Sequence, residues 1–298
     1  MMWKKTLVAA AVATALAPTY AAEPAATAET APKPPAPQLP TIRVEGVRED
    51  EGLKAETQTT SSKMALSVRE TPQSVTVITE ESLDDRQVMD FGQALEMVAG
   101  VSQYSGTGPF GGQAGFGFNE TTIRGIPIDS LHDVREDGFI NTTYFAMPDM
   151  ALYDRIEVIK GPNSVVYGRG SAGGLINRLR KKPQAEGLAE VELTAGSFDT
   201  YRADVDLAGS LTSSGNITGR LVAAYGDEGS FVDGVETQRT LFAPGVQFQL
   251  GETTRLLLEG LYQHDDFNPA PGMPLRDAGD GHYVAPDVRR SMYFGVPN

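Results

Sequence analysis

The C-terminal part of the chain alternates apolar and polar residues in a series of segments. In the clearest one, Tyr201–Leu211, apolar or small residues stand at the odd positions, and charged, polar or small residues stand at the even positions. Successive side chains of a β-strand point to opposite faces, so this pattern predicts a strand with one apolar and one polar face. The same alternation predicts four further strands, which are Glu190–Gly196, Ile217–Gly226, Leu241–Leu250 and Arg255–His264.

The middle of the chain mixes helical and strand patterns. Ser74–Ile78 alternates like a strand, and Thr79 is a suitable N-cap for a helix that follows it. Asp90, with Gln93 three residues later, resembles a capping box. We therefore expect a second helix that starts after Asp90 and ends at Gly100.

Two further signals complete this mixed region. Asp137-Gly138 interrupts the segment Val134–Ile140 and predicts a tight hairpin, because both turn positions of such a hairpin require positive φ. Ile156–Ile159 is a short apolar run that predicts a buried strand. Together these elements predict a compact α+β domain over residues 60–183.

The N-terminal residues show a different composition. Residues 1–21 have a charged start, a short apolar run and small residues, which is typical of a secretory signal. Residues 22–40 are rich in Ala, Pro, Thr and Glu and predict an extended linker. Residues 41–45 (TIRVE) alternate like an isolated strand, whose free backbone edge can pair with a partner's sheet. The alternative is a linker tail that alternates by chance.

The composition excludes several classes of function. Acidic residues outnumber basic ones 39 to 25, and the formal charge of −14 argues against a nucleic-acid partner. The chain has no cysteine and three histidines without metal-ligand spacing, so we predict no metal site. No arrangement of nucleophile and base is recognisable, so we predict that the protein is not an enzyme.

The glycine-rich loop at residues 168–173 contains a literal GxGxxG sequence. A dinucleotide site requires a long helix that opens directly at such a loop within a βαβ unit. Here the following segment is short, basic and ended by Pro183. We therefore interpret these glycines as positions of positive φ or close backbone approach.

Three blocks in order along the chain resemble the plug-domain motifs of TonB-dependent outer-membrane receptors. They are ETPQSVTVITEESL at residues 70–83, TTIRG at 121–125 and RIEVIKGPNSVVYGRGSAGGLINRLRKKP at 155–183. The first block and VRRSMYFGVPN at 288–298 resemble the siderophore-receptor branch most. This resemblance implies an α+β plug domain at 60–183 followed by antiparallel transmembrane β-barrel strands at 187–298. Five strands leave an open edge, so we expect an incomplete barrel that has about 22 strands in the whole protein.

The resemblance also implies a function, which is TonB-dependent transport of a ferric siderophore across the outer membrane. Iron would be carried within the siderophore, without a resident cofactor, and the expected contacts are with TonB and outer-membrane lipid. We expect a monomer with its plug and N-terminus facing the periplasm. Haem, cobalamin or another metal chelate as substrate, and a nonfunctional truncated remnant, remain alternatives. A passive porin or adhesin is disfavoured because neither needs a plug.

The resemblance implies roles for particular residues. Arg124 and Lys160 match positions that form a latch between the plug and glutamates on the inner barrel wall, although Lys160 stands where the family has arginine. The residues implied to bind TonB are Thr41, Ile42, Arg43, Val44 and Glu45. Those implied to contact the substrate from outward-facing plug loops are Phe110, Gln113, Phe116, Phe118, His132, Tyr144 and Phe145. For the loop aromatics, packing against one another or against the barrel is an equal alternative, and a polar contact is the expected role of His132.

Overall fold

The computed structural model describes residues 52–104, 120–129, 132–140, 148–268, 275–279 and 281–294. The first part of the described chain forms the predicted plug domain. Its strands are β1 (Thr57–Gln58), β2 (Leu66–Ser67), β3 (Ser74–Thr79), β4 (Val101–Tyr104), β5 (Glu120–Ile123), β6 (Ile126–Pro127), β7 (Val134–Glu136), β8 (Phe139–Ile140), β9 (Tyr153–Lys160) and β10 (Gly174–Arg180). Its helices are α1 (Glu80–Asp85), α2 (Phe91–Glu96) and α3 (Ser164–Tyr167), with a 3₁₀ turn at Met150–Leu152.

The plug domain is built on a five-stranded sheet with the order β3-β9-β10-β7-β8. β10 pairs in parallel with β7, and every other pair in this sheet is antiparallel. The predicted hairpin joins β7 and β8, with φ of 49° at Asp137 and 82° at Gly138. Positive φ at both turn residues defines the predicted type of tight turn, which is confirmed.

The two predicted helix starts are confirmed. The Thr79 hydroxyl accepts a hydrogen bond from the Ser82 amide, and the Asp90 carboxylate accepts one from the Gln93 amide. The predicted end of α2 at Gly100 is wrong, because the helix ends at Glu96. After Glu96, the amides of Met97 and Val98 donate to carbonyls three residues earlier, which tightens the last turn and ends the helix. Gly100 instead lies in a turn at φ 80°, where its carbonyl accepts from the amide of Arg124, in the turn between β5 and β6.

The glycine-rich loop packs closely against the plug sheet. It leads from the short helix α3 into strand β10, so the helix that a dinucleotide site requires is not present at this loop. A Cβ atom on Gly174 would lie 2.0 Å from the Ile159 carbonyl oxygen, and one on Gly173 would lie 2.9 Å from that of Ile126. Close backbone approach is therefore what these glycines provide.

The second part of the chain forms an antiparallel sheet. Its strands are β11 (Leu188–Gly196), β12 (Thr200–Ser210), β13 (Ile217–Gly229), β14 (Glu236–Gln249), β15 (Arg255–Glu259) and β16 (Tyr262–Phe267). Strands β11 to β15 pair in chain order, and β16 pairs with β14. We call this sheet the meander sheet. A small hairpin, β17 (Arg276–Asp277) and β18 (Tyr283–Val284), lies beyond it.

The fifth predicted strand is interrupted, because it consists of β15 and β16. Both pair with β14 in one continuous register, with Gly245 opposite Glu259 and Phe242 opposite Tyr262. The interruption lies opposite Pro244, which has no N–H to donate to the ladder. Gly260 still donates to the Pro244 carbonyl at 2.9 Å. The prediction of one strand therefore holds for the register but not for the hydrogen bonds.

The meander sheet has the opposite burial pattern from a sheet of a water-soluble protein. The apolar side chains of one face are exposed, and Val191 and Leu193 have 66% and 77% of their surface accessible. Its opposite face buries charged side chains, which are Arg202, Asp206, Arg220 and Arg239. An outward apolar face and a polar interior are the pattern of a sheet that faces lipid. The predicted alternation of faces is therefore confirmed.

Apolar residues of both parts meet in one core. The plug sheet contributes Ile78, Ile156, Val158 and Ile176, and α2 contributes Leu95. The meander sheet adds four of its inward side chains to the same cluster, which are Val222, Ala224, Leu241 and Ala243. The plug domain is thus packed directly on the inner face of the meander sheet. Among the described residues, no helix has the length and apolarity needed to cross a membrane.

The exposed apolar face leads to a first prediction, for Val191→Arg in the full-length protein. We expect a reduced folded fraction in the membrane, because an arginine on a lipid-facing strand surface costs up to about 2–4 kcal/mol at the middle of the bilayer. The folded fraction is measured by heat-modifiable electrophoretic mobility. Ser213→Arg is the control, since it adds the same side chain at an exposed position of the turn between β12 and β13. Equal folded fractions for the two variants would show that this face does not contact lipid.

Candidate functional site

A buried carboxylate joins the plug domain to the meander sheet. Asp149 of the plug is fully buried, and one of its oxygens caps the 3₁₀ turn by accepting from the Ala151 amide at 3.0 Å. Arg202 of β12 donates to both oxygens, at 3.0 Å from Nη1 and 2.7 Å from Nη2. Arg239 of β14 lies 3.6 Å from the same carboxylate. Paired donation from a guanidinium fixes both distance and orientation.

The two arginines are held in place by carboxylates of the meander sheet. Arg202 also donates to Asp204 on its own strand, and Arg239 donates from Nε to Asp265 at 2.7 Å. Each guanidinium therefore contacts the plug carboxylate and at least one carboxylate of the sheet. Buried charges of this kind are stable only when they are paired and hydrogen-bonded.

The C-terminal end of the plug domain makes a second set of ion pairs. Lys181 bridges Glu80 at 2.5 Å and Asp206 at 3.0 Å, and Asp206 also accepts two hydrogen bonds from Arg220. Burial alone would lower the pKa of Lys181, but the carboxylates of Glu80 and Asp206 outweigh burial and raise it. The neighbouring Lys182 contacts Asp137 of the plug at 2.7 Å and Glu259 of the sheet at 3.0 Å. The chain is thus fixed ionically where it passes from plug to sheet.

An acidic cavity of about 100 Å³ lies between α1 of the plug and strands β11 and β12. Asp84 lines it from the plug side, while Glu190 and Glu192 line it from the sheet. Asp84 lies at the rim of the cavity and is exposed to solvent. Its pKa is raised from 3.8 to about 6, mainly by desolvation and secondly by repulsion from the Glu80 carboxylate. The interface therefore disfavours the ionised form of Asp84.

The two predicted latch residues lie next to each other on the plug. Lys160 donates from Nζ to the Ala99 carbonyl at 2.6 Å, and Arg124 is exposed with φ of 55°. The pKa of Lys160 is lowered, mainly by desolvation and secondly by repulsion from the Arg124 charge. Neither side chain forms an ion pair with a residue in the described ranges. Their pairing with barrel glutamates stays a prediction.

Most of the other predicted site residues lie outside the described residues. These are Thr41, Ile42, Arg43, Val44, Glu45, Phe110, Gln113, Phe116, Phe118, Tyr144 and Phe145. His132 is described, and its Nδ1 lies 2.6 Å from an Asp129 carboxylate oxygen. In the described part of the chain, no group of three or more side chains could hold a metal ion. The polar contact expected for His132 is therefore seen, while its role towards substrate stays a prediction.

The sequence did not reveal the charge pairs that join the two parts. Arg202, Asp204 and Asp206 were recognisable as the polar face of one strand, but this pattern does not identify their partners. Asp149 carries no motif that marks it as a partner of distant arginines. The one available signal was the number of charged residues on the polar face of these strands, which faces the interior of the predicted barrel. Buried charges require opposite charges, so this face indicated that ionic partners exist but not which residues they are.

Asp149→Asn tests the main ionic contact. Asparagine keeps the shape and the turn cap but removes the charge between Arg202 and Arg239, so we expect a loss of about 3 kcal/mol in the free energy of unfolding. Denaturant unfolding of the full-length protein measures this loss of stability. Asp199→Asn is the control, because Asp199 is exposed in a turn whose positive φ asparagine tolerates. A loss no larger than that of the control would contradict this role.

Asp84→Asn tests the acidic cavity through pH. The folded-state pKa is raised, so ionisation of Asp84 lowers stability above its pKa of about 6, and this cost disappears as pH falls below 3.8. The variant should therefore raise the thermal midpoint at about pH 7.5 and leave it unchanged at about pH 3.5. Equal midpoints for variant and wild type at the higher pH would show that the cavity does not disfavour the carboxylate.

Comparison with known proteins agrees with this architecture. The family model described as the TonB-dependent receptor plug domain matches residues 67–175. The ferripyoverdine receptor of Pseudomonas aeruginosa is 39% identical over 209 residues, which are 70% of this chain and 25% of that protein. The metal-pseudopaline receptor CntO of the same species is 33% identical over 253 residues, which are 83% of this chain and 33% of that protein.

Solved structures show the same relationship. The crystal structure of the ferripyoverdine receptor of the Pseudomonas aeruginosa outer membrane, bound to ferripyoverdine, matches with a TM-score of 0.71 and 34% identity. The match covers 82% of this chain and 32% of that one. The alcaligin receptor FauA of Bordetella pertussis matches with a TM-score of 0.61 and 30% identity, over 74% of this chain and 36% of that one.

The matches define how much of a receptor this chain represents. It spans a quarter to a third of the length of these curated relatives. Its first part is the plug domain, and its second part is an antiparallel sheet that packs on the plug. The chain therefore belongs to the TonB-dependent receptors, and its relatives named above are receptors for ferripyoverdine, metal-pseudopaline and alcaligin.

Proposed function

We propose that the protein containing this chain binds a ferric siderophore at the cell surface and imports it across the outer membrane by TonB-dependent transport. The observation that carries the proposal is the seating of the plug on the polar face of the meander sheet. Asp149 lies between Arg202 and Arg239, and Lys181 and Lys182 lie between plug and sheet carboxylates. A passive channel has no need of a domain held in this way.

Ionic contacts suit a plug that must be held and later loosened. In a water-lined interior, charged groups that separate become hydrated, so their separation costs less free energy than it would in a dry core. An apolar seal of the same area would expose hydrocarbon to water when it opens. The charge pairs at Asp149 thus support a plug that changes its contacts during transport rather than a permanent seal.

The relatives support a metal chelate as substrate. The ferripyoverdine receptor has the higher identity of the two curated relatives compared above, which favours an iron chelate. The second candidate is another metal chelate, since the match to a metal-pseudopaline receptor covers more of the chain. Iron is the cargo in the first case and is chelated by the siderophore. Growth rescue of a receptor-deleted strain by either chelate distinguishes the two.

Residues 41–45 are the segment that we propose to couple transport to energy. As an extended strand in the periplasm, they would add to a sheet of TonB through main-chain hydrogen bonds. Substrate bound at the outer face would make this segment available, and a pull by TonB would then move the plug. The periplasmic orientation of the plug and the N-terminus is part of the same proposal.

Ile42→Pro in the full-length receptor tests this coupling. Proline removes one main-chain N–H from the pairing strand, so we expect uptake of radiolabelled iron to be lost while chelate binding is retained. Ile42→Val is the matched control, because it keeps the N–H and the β-branched side chain, and it should transport normally. Normal uptake by an inserted Ile42→Pro receptor would refute the proposal.

A further inference from the structure

One face of the plug sheet carries a buried polar row. In the register of the sheet, Glu157 on β9 lies between Val77 on β3 and Asn177 on β10, and Asn177 lies next to Arg135 on β7. Glu157 has no exposed surface, and Asn177 and Arg135 are buried as well. The opposite face of the same strands carries the apolar core side chains. A charged row in this position needs a specific cover.

The cover is the chain immediately before the plug motifs. The Glu157 carboxylate accepts hydrogen bonds from the Thr59 amide at 3.0 Å and 3.1 Å and from the Thr60 amide at 2.7 Å. The Thr60 hydroxyl donates to it as well, and Arg155 lies 3.1 Å away. Hydrogen bonds to a charged acceptor are stronger than neutral ones. Glu157 therefore binds the backbone of two consecutive residues with high directionality.

Other contacts fix the covering segment in one conformation. β1 pairs with β2, and Gln58, which is fully buried, donates to Ser61 and Thr71. The Thr60 hydroxyl accepts from the Asn177 side chain at 2.9 Å, which ties the segment to the next strand of the sheet. We call residues 57–61 the clasp segment. It is held by buried polar groups of its own and of the sheet rather than by apolar packing.

We infer that Glu157 is a positioning residue that anchors the clasp segment and transmits to strand β9 a pull applied at residues 41–45. This inference rests on the proposed function. Between the pulled strand and Thr59, the contacts with the plug include the Ser82 hydroxyl, which donates to the Leu53 carbonyl, and the pairing of β1 with β2. The load passes these neutral contacts and then reaches the charged anchor at Glu157. β9 is paired on both sides, with β3 and β10, and it carries the load into the middle of the sheet.

Release of the clasp segment would have a defined physical consequence. Glu157, Asn177 and Arg135 would lose their cover and become hydrated, so a polar surface would open along the plug sheet rather than an apolar one. The carboxylate would lose its amide donors, and a buried charge without donors is unfavourable until water reaches it. The anchor is therefore expected to open as one cooperative step.

Hydrogen exchange of the full-length receptor tests the anchor without any transport assay. Glu157→Gln should speed exchange of the Thr59 and Thr60 amides by about tenfold or more, because the charged acceptor is lost. Asp154→Asn is the matched control, since Asp154 is exposed on the same strand, and it should leave these amides unchanged. Unchanged exchange in Glu157→Gln, in a receptor that still binds its chelate, would overturn the inference.

A second pair of variants covers the case in which Glu157→Gln does not fold. Thr60→Val removes the hydroxyl that donates to Glu157, whereas Thr60→Ser keeps it. Faster exchange of the Thr59 amide in the valine variant, together with near-normal exchange in the serine variant, is the expected result. Equal exchange in both variants and in the wild type would contradict the anchor.

Force spectroscopy tests the transmitted load independently of TonB. A handle attached through Glu45→Cys pulls the N-terminal chain directly, and the first extension step should move to lower force in Glu157→Gln but not in Asp154→Asn. An unchanged first step would overturn the inference. TonB is absent from this assay, so the force measurement tests the Glu157 anchor separately from the TonB coupling. Normal uptake by Ile42→Pro would refute the coupling to TonB but would leave the measured force of the first step unchanged.

Discussion

The enclosure of charge by the meander sheet is the constraint on which the rest of the structure depends. Its outer face is apolar, so its inner face carries the charged side chains, and these must find opposite charges in whatever fills the interior. The plug supplies Asp149 to Arg202 and Arg239, and it supplies Lys181 to Asp206. The plug is thereby positioned by electrostatics as well as by the shared apolar core.

The plug sheet uses its two faces for different purposes. One face packs in the apolar core with α1, α2 and the inner side of the meander sheet. The other face buries Glu157 under the clasp segment through directional hydrogen bonds. Apolar packing is non-directional and tolerates small shifts, whereas hydrogen bonds to a buried carboxylate open abruptly. A domain that must stay folded and yet release one segment benefits from this division.

The sequence predicted local structure well and ionic partners poorly, and the reason is physical. Strand alternation, the caps at Thr79 and Asp90 and the turn at Asp137-Gly138 depend on neighbouring residues alone, and the structure confirms them. The end of α2 and the break opposite Pro244 depend on how strands and turns meet. The partners of Asp149 lie 53 residues or more along the chain, so strand register and plug docking decide them.

The account depends most on the coupling between Asp149 and Arg202. A double-mutant cycle on the free energy of unfolding of the full-length receptor, with Asp149→Asn and Arg202→Gln singly and together, isolates this pairwise term. We expect a coupling free energy of about 1–3 kcal/mol, since the pair is buried and its hydrogen bonds are bidentate. Additive effects, with a coupling near zero, would show that this buried pair does not hold the plug and would contradict the account.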